Sequence, residues 1–200
     1  MTSILLVEDQ SLVRGALKAL LNLESDLDVC AEAGDGNEAL ALLKNQRFDI
    51  LLTDIEMPDK SGIELAEHCA KAYPQMKTVV VTTFGRAGYI RRAMAAGVTA
   101  FLLKDAPSEQ LADAIRKAVL GKKTIDPELA IAALDDLDPL TDKERKALRL
   151  ASEGLRTIDI GKALFLSEGT VRNYLSEAIS KLNATNRVDA ARIAQLKGWL

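Results

Sequence analysis

Five short apolar runs separated by amphipathic stretches constrain the first 120 residues more than any other feature. The runs are Ile4–Val7, Val29–Ala33, Ile50–Thr53, Thr78–Thr82 and Ala100–Leu103. They are apolar rather than alternating, which is how strands read when both faces are covered. Between the first two, Leu12, Ala16, Leu17, Leu20 and Leu21 recur at helical spacing over 11–23. Ala39, Leu40, Leu42 and Leu43 do the same, and Ser61 with Glu64 forms a capping box that predicts a helix over about 62–72. A fourth helix is expected over 86–96, closed by Gly97, and a fifth from Pro107 to about Leu120, with Gly121 as its cap. Strand–helix alternation predicts an α/β domain with a five-stranded, doubly wound parallel sheet. No GxGxxG follows the first strand, so a dinucleotide-binding version is excluded.

Two hundred residues suit two domains. Hydrophobic residues make up 48% and aromatics 4%, so the core is aliphatic. No apolar run approaches the ~18 residues that span a bilayer. The first strand begins at once, with no basic region or cleavage site, so no signal peptide is expected and a cytoplasmic location is. Cys30 and Cys69 are too far apart for a metal motif and read as small buried or half-buried fillers. His68 is the single histidine and reads as a helix-surface residue. The net charge of −3 hides an asymmetry: −4 over 1–120, −2 over 121–137 and +3 over 138–200. Only the last part suits a polyanionic partner.

Residues 121–137 contain Lys122-Lys123, Pro127 and Asp135-Asp136, and read as a linker with a short helix near Glu128–Leu134. Beyond it the strand signals stop. Thr141 and Glu144 form a second capping box, opening a helix to about Glu153. Residues 157–164 are a short helix, Leu166-Ser167 a tight turn, and Ser167 caps a helix to about Leu182. A fourth helix starts at Asn186 or Arg187 and ends near Gly198. The second and third of these make a helix-turn-helix pattern. On the longer one, Val171, Leu175, Ala178, Ile179 and Leu182 form the buried stripe, while Arg172, Asn173, Ser176 and Ser180 fall opposite. Arginine reads guanine edges and asparagine adenine edges. Thr170, Lys181 and Arg187 suit phosphate contacts. A plain helical interaction domain with idle polar residues is the competing reading.

The strand ends carry the chemistry. Glu8 and Asp9 end the first strand, Asp54 the third, Thr82 the fourth, and Lys104 follows the fifth. A lone aspartate there is a turn residue, a Glu-Asp pair a helix-start charge pair, and a lone lysine a solvated one. Together they meet along one edge of a parallel sheet, where ligands bind. Crowded carboxylates call for a hard divalent cation, and Mg²⁺ favours one or two carboxylates with a phosphate oxygen. Asp54 is then a nucleophile on phosphorus, Lys104 a positive charge for the phosphate, and Thr82 a hydroxyl donor.

With Val7-Glu8-Asp9, Asp54-Ile-Glu-Met-Pro58, Ser61-Gly62, Val81-Thr82-Thr83, Ala96-Gly97 and Leu103-Lys104, the first 120 residues resemble the flavodoxin-like receiver domain of two-component response regulators. The resemblance implies that a sensor histidine kinase phosphorylates Asp54. It implies that Mg²⁺ or Mn²⁺ is held by Glu8, Asp9, Asp54 and the Glu56 carbonyl, and that Thr82 and Phe101 are the switch positions. Thr82 would turn inward to the phosphate and Phe101 would follow into the space vacated. The proline that often follows the lysine is Asp105 here, which leaves the Lys104–Asp105 peptide open.

Residues 138–200 resemble the LuxR/FixJ/NarL-type DNA-binding domain, through Leu140-Thr141-Asp142-Lys143-Glu144, Glu153-Gly154, Ser167 to Tyr174, Lys181-Leu182 and Asn186-Arg187. Two departures touch the first helix of the motif: Gly161 stands where alanine is common, and Thr157-Ile158 where Asn-Lys is. Promoter DNA and a homodimer formed on activation, with the last helix as a contact, are the implied partners. RNA polymerase stays open as a further one, and no membrane role is implied. A closer resemblance, to regulators of membrane-lipid desaturase expression, rests on Thr82-Thr83-Phe84-x-Arg86, Lys104-Asp105-x-Pro107 and Pro127-Glu128-Leu129. Two other functions are weighed. An acidic-site phosphatase would carry a second aspartate where Glu56 stands. A regulator that binds DNA without phosphorylation would not need the acidic cluster with Thr82 and Lys104.

Overall fold

The computed structural model describes residues 1–83, 85–127, 129–131 and 138–200. Phe84, Glu128 and the acidic run at 135–136 lie outside the described residues, and with them most of the short helix expected near Glu128–Leu134. The chain divides into two compact units, one bearing the sheet and one made of the C-terminal helices.

In the first unit β1 (Thr2–Val7), β2 (Leu27–Ala33), β3 (Ile50–Thr53), β4 (Lys77–Thr82) and β5 (Ala100–Leu103) alternate with α1 (Ser11–Leu21), α2 (Gly36–Asn45), α3 (Gly62–Ala72), α4 (Ala87–Ala95) and α5 (Ser108–Val119). The sheet is parallel throughout, in the order β2-β1-β3-β4-β5-β6. The expected count of five strands becomes six among the described residues. Thr124–Ile125, placed by sequence in the linker, forms a two-residue β6 beside Ala100 and Phe101 of β5. Two residues carry no readable period, so only pairing reveals such a strand.

Successive residues of β1 point to opposite faces. Ile4 and Leu6 join a core with Ile50, Leu52, Leu111 and Ile115, while Leu5 and Val7 join one with Leu43, Leu51 and Leu65. Both faces are dry, which is why the central strands read as continuous apolar runs. Each such side chain contributes roughly 1.5–3 kcal/mol by burial. The edge strand β2 is different: Cys30 is exposed there, against the expectation of burial, while Cys69 on α3 is buried. His68 is exposed, as expected. Helix starts follow side-chain chemistry. Asp35 accepts from the Asn37 and Glu38 amides at α2, and Ser61 and Glu64 complete a capping box at α3.

The second unit consists, among its described residues, of α6 (Asp142–Ser152), α7 (Thr157–Leu164), α8 (Glu168–Lys181) and α9 (Arg187–Leu196). Ala147, Leu148, Ile160, Val171, Leu175, Ala178, Ala194 and Trp199 fill its core. Thr141 caps α6, and Glu144 returns the favour by accepting from the Thr141 amide at 2.7 Å. Glu144 is only 5% exposed, and both its oxygens lie 2.8 Å from the Lys181 ammonium at the end of α8. Burial alone would raise this carboxyl, but hydrogen bonds from Lys181 and Thr141 outweigh it and hold it below its ordinary value.

A carboxyl depressed in the folded state stabilises fully above its unfolded value, near 4.5, and loses that contribution as pH falls through the folded value. Glu144→Gln is therefore expected to cost this unit about 1–3 kcal/mol at neutral pH, discounted for the part-exposed lysine. The difference from wild type narrows as the medium is acidified below that range. Urea unfolding followed by Trp199, the single tryptophan and part of this core, measures it.

Candidate functional site

Strand register assembles the acidic edge. Val7 pairs with Thr53, and the Asp54 amide continues the ladder to the Val7 carbonyl at 3.0 Å. Asp54 is thereby set beside Glu8. Thr82 pairs with Leu103, and the Lys104 amide reaches the Thr82 carbonyl at 2.8 Å, so the lysine leaves the sheet at the same edge. Its ammonium lies 2.7 Å from Glu8 Oε2 and 2.8 Å from Asp54 Oδ2. Glu8, Asp54 and Thr82 are all buried, at 1%, 4% and 0% exposure. Sequence places these four at matching strand ends, and the structure brings them together.

Burial pushes the Glu8 carboxyl above its ordinary value; the Lys104 ammonium opposes this without overcoming it, and the Asp54 charge adds to it. Burial would lower the Lys104 ammonium, but hydrogen bonds to Asp54 and Glu8 win and raise it. Lys104 is thus a fixed positive charge. Asp54 Oδ1 accepts from the Ile55 amide at 2.6 Å, which leaves lone pairs on both oxygens.

One carboxylate oxygen from each of Glu8, Asp9 and Asp54 lies within 4.8 Å of the others. Oxygen ligands at about 2.0–2.1 Å from one octahedral ion lie about 3–4 Å apart, so small side-chain adjustments would bring these three onto one ion. Asp9 Oδ1 is closed off from solvent and has no hydrogen-bond partner among the described residues. Three carboxylates against one ammonium leave two formal negative charges, the deficit a divalent cation balances. The donor set is all oxygen and suits a hard ion.

The loop after Asp54 is held closely. The Gly62 amide donates to the Ile55 carbonyl at 3.0 Å, and a Cβ at Gly62 would lie 1.7 Å from the Asp54 carbonyl oxygen. Sequence marks Gly62 only as the residue after a cap and misses this packing. It also misses Arg14, whose guanidinium donates to the Glu8 carbonyl, and Tyr89, whose hydroxyl donates to Glu56 Oε1 at 3.1 Å. No periodicity announces such contacts. Phe101 is 1% exposed. β5 carries this ring in the core. The Lys104–Asp105 peptide is trans, like every described peptide bond.

In the second unit Phe165 turns the chain between α7 and α8 in the left-handed region, at φ 57°, and Ser167 caps α8 through the Thr170 amide. A Cβ at Gly161 would lie 2.8 Å from the Leu166 carbonyl oxygen. Glycine at this departure lets the turn pack closely onto α7. Val171, Leu175 and Ala178 face the core; Arg172, Asn173 and Ser176 are exposed, as is Arg187. Thr170 is half-buried, its hydroxyl 2.8 Å from that of Ser167. Lys181, expected at a phosphate, lies at the end of α8 with its ammonium 2.8 Å from both Glu144 oxygens. A phosphate contact there would compete with this ion pair. Arg172, Asn173 and Ser176 share the exposed face of α8, opposite its buried stripe.

Comparisons with known proteins agree with this layout. Residues 4–116 match the response regulator receiver domain, and residues 138–194 match the bacterial regulatory proteins of the luxR family. The transcriptional regulatory protein YvfU of Bacillus subtilis is 48% identical over 200 residues, covering 100% of both chains. The transcriptional regulatory protein DesR of the same organism is 43% identical over 199 residues, covering 100% of this chain and 99% of its own. Among solved structures, the response regulator ChrA of a heme-sensing two-component system is 32% identical with a TM-score of 0.58, covering 100% of this chain and 98% of that one.

The contact at Gly62 yields a direct test of how tightly the acidic loop is built. Gly62→Ala is expected to cost about 2–3 kcal/mol, because the methyl group must displace backbone at Asp54. Urea unfolding followed by circular dichroism reads the loss. An unchanged midpoint would show that the loop gives way freely.

Proposed function

We propose that this chain, which belongs to the two-component response regulators with a LuxR-family DNA-binding domain, is switched by phosphorylation of Asp54 from a sensor histidine kinase. The observation that carries the proposal is the buried Asp54 carboxylate beside the Lys104 ammonium at a carboxylate-lined strand edge. An Asp54 oxygen attacks phosphorus and forms the acyl phosphate, while the bond from phosphorus to the donor's imidazole nitrogen breaks with its electron pair leaving on that nitrogen. Lys104 balances charge on the phosphoryl oxygens, and the Thr82 hydroxyl donates to one. Glu8, Asp9, Asp54 and the Glu56 carbonyl would hold Mg²⁺ or Mn²⁺, which when bound supplies positive charge to those oxygens. The chemistry is confined to the chain's own phosphorylation and dephosphorylation, so we do not class it as an enzyme.

A phosphoryl group adds about −1.5 to −2 charge at the Asp54 edge. With Phe101 already buried, phosphorylation stabilises the inward ring rather than creating its place, a shift of population. We assign 1–120 to the receiver, with β6 extending its sheet, 121–137 to a linker and 138–200 to DNA binding. Phosphorylation favours a homodimer, whose two helix-turn-helix units occupy a promoter together and gain affinity by effective concentration. Arg172, Asn173 and Ser176 read bases, while Thr170 and Arg187 contact phosphates. RNA polymerase is a further partner at the promoter. No described helix is long and apolar enough to cross a membrane, and we place the protein in the cytoplasm.

Acetyl phosphate with Mg²⁺ tests the reading. The wild-type chain is expected to gain one phosphoryl group by intact mass and to shift from monomer to dimer by light scattering. Asp54→Ala is expected to lose both responses while keeping its fold. Labelling or dimerisation that persists in the variant would sink the proposal.

A further inference from the structure

The first helix of the helix-turn-helix departs from the pattern it resembles at Thr157, and that residue holds a three-membered polar network. Thr157 Oγ1, on the first residue of α7, donates to Glu168 Oε1 at 2.9 Å on the first residue of α8. The same oxygen accepts from Arg172 Nη2 at 2.6 Å, one turn further along α8. The hydroxyl and then the guanidinium hold the Glu168 carboxyl below its ordinary value.

An ion pair of this spacing on an exposed helix face is ordinarily weak and leaves both side chains mobile. The hydroxyl from the other helix changes that, because it fixes the carboxylate from a second direction. Arg172 remains 67% exposed, on the face it shares with Asn173 and Ser176. Nη2 carries two hydrogens, so pairing with Glu168 leaves the fork its other donors for the O6 and N7 acceptors of guanine. A carboxylate on this face also repels phosphate and lowers affinity for any sequence.

We propose that Glu168, anchored by Thr157, is a positioning residue that presents the Arg172 guanidinium to one base edge and thereby sets specificity at one position of each half-site. This rests on the reading of α8 as the recognition helix. Holding a long, flexible side chain in its binding geometry reduces the ordering cost of contact. The carboxylate trades affinity for all DNA against discrimination among sequences. Its removal moves the two in opposite directions, whereas an idle surface ion pair changes only the first.

The test uses the full chain with acetyl phosphate and Mg²⁺, selecting from duplexes with a randomised centre, with Trp199 fluorescence confirming that each variant is folded. Arg172→Ala is expected to abolish preference at one half-site position, which identifies the base read. Glu168→Ala and Thr157→Val are expected to weaken preference at that same position about five- to tenfold and to spare the others. Thr157→Ser keeps the hydroxyl and is expected to keep the preference. Glu168→Ala is also expected to bind a scrambled duplex more tightly than wild type. Wild-type preference in Glu168→Ala and Thr157→Val, or an equal loss at every position, overturns the inference while leaving α8 as the reader. An Arg172→Ala variant with unaltered preferences removes both.

Discussion

Charge balance in a buried place is the constraint on which the sheet-bearing unit depends. Glu8 and Asp54 are nearly inaccessible to water, and a bare pair of carboxylates there would repel strongly. The Lys104 ammonium relieves part of that repulsion and is itself raised by the contact. It does not relieve all of it. Glu8 still lies above its ordinary value because burial wins, and one Asp9 oxygen has no partner among the described residues. Such a site favours whatever brings positive charge, and tolerates a further anion only when that charge arrives. Receptivity to a cation and readiness to take a phosphoryl group therefore come from one electrostatic deficit.

The sheet fixes this deficit in place at modest local cost. Asp54 is anchored through backbone to Val7, Lys104 through backbone to Thr82, and the loop after Asp54 through Gly62. Each anchor is made by main chain, which side-chain substitution elsewhere does not undo. The reacting groups therefore sit on rigid strand ends, while the residues that follow them are free to differ.

How much of this is legible in the sequence depends on the range of the interaction. Both capping boxes, at Ser61 and Thr141, were readable because their partners lie three residues apart. The four inner strands β1, β3, β4 and β5 are readable because both faces are buried, and the acidic edge because four unlike residue types fall at four strand ends. The contacts that escaped reading join distant segments without a period. β6 has two residues and exists only by pairing with β5. Cys30 has the composition of a buried residue, but edge-strand position decides its exposure. Lys181 lies on the polar side of its helix, and its contact with a glutamate 37 residues earlier has no local signature.

That last exchange has a consequence for how a helical unit of this size recognises anything. Its core is small, and the Glu144–Lys181 pair fastens the start of α6 to the end of α8, with Thr141 completing the network. The glutamate is buried and the lysine part-exposed, so desolvation is shared unequally, and the pair ties α8 to α6. The opposite end of α8 is held by the cap at Ser167 and by Thr157 through Glu168. A helix pinned by polar contacts at both ends keeps its exposed face in register with its buried stripe. Arg172 and Asn173 are then presented from a rigid support, and on the proposed reading of α8 discrimination between base edges separated by ångströms draws on that rigidity.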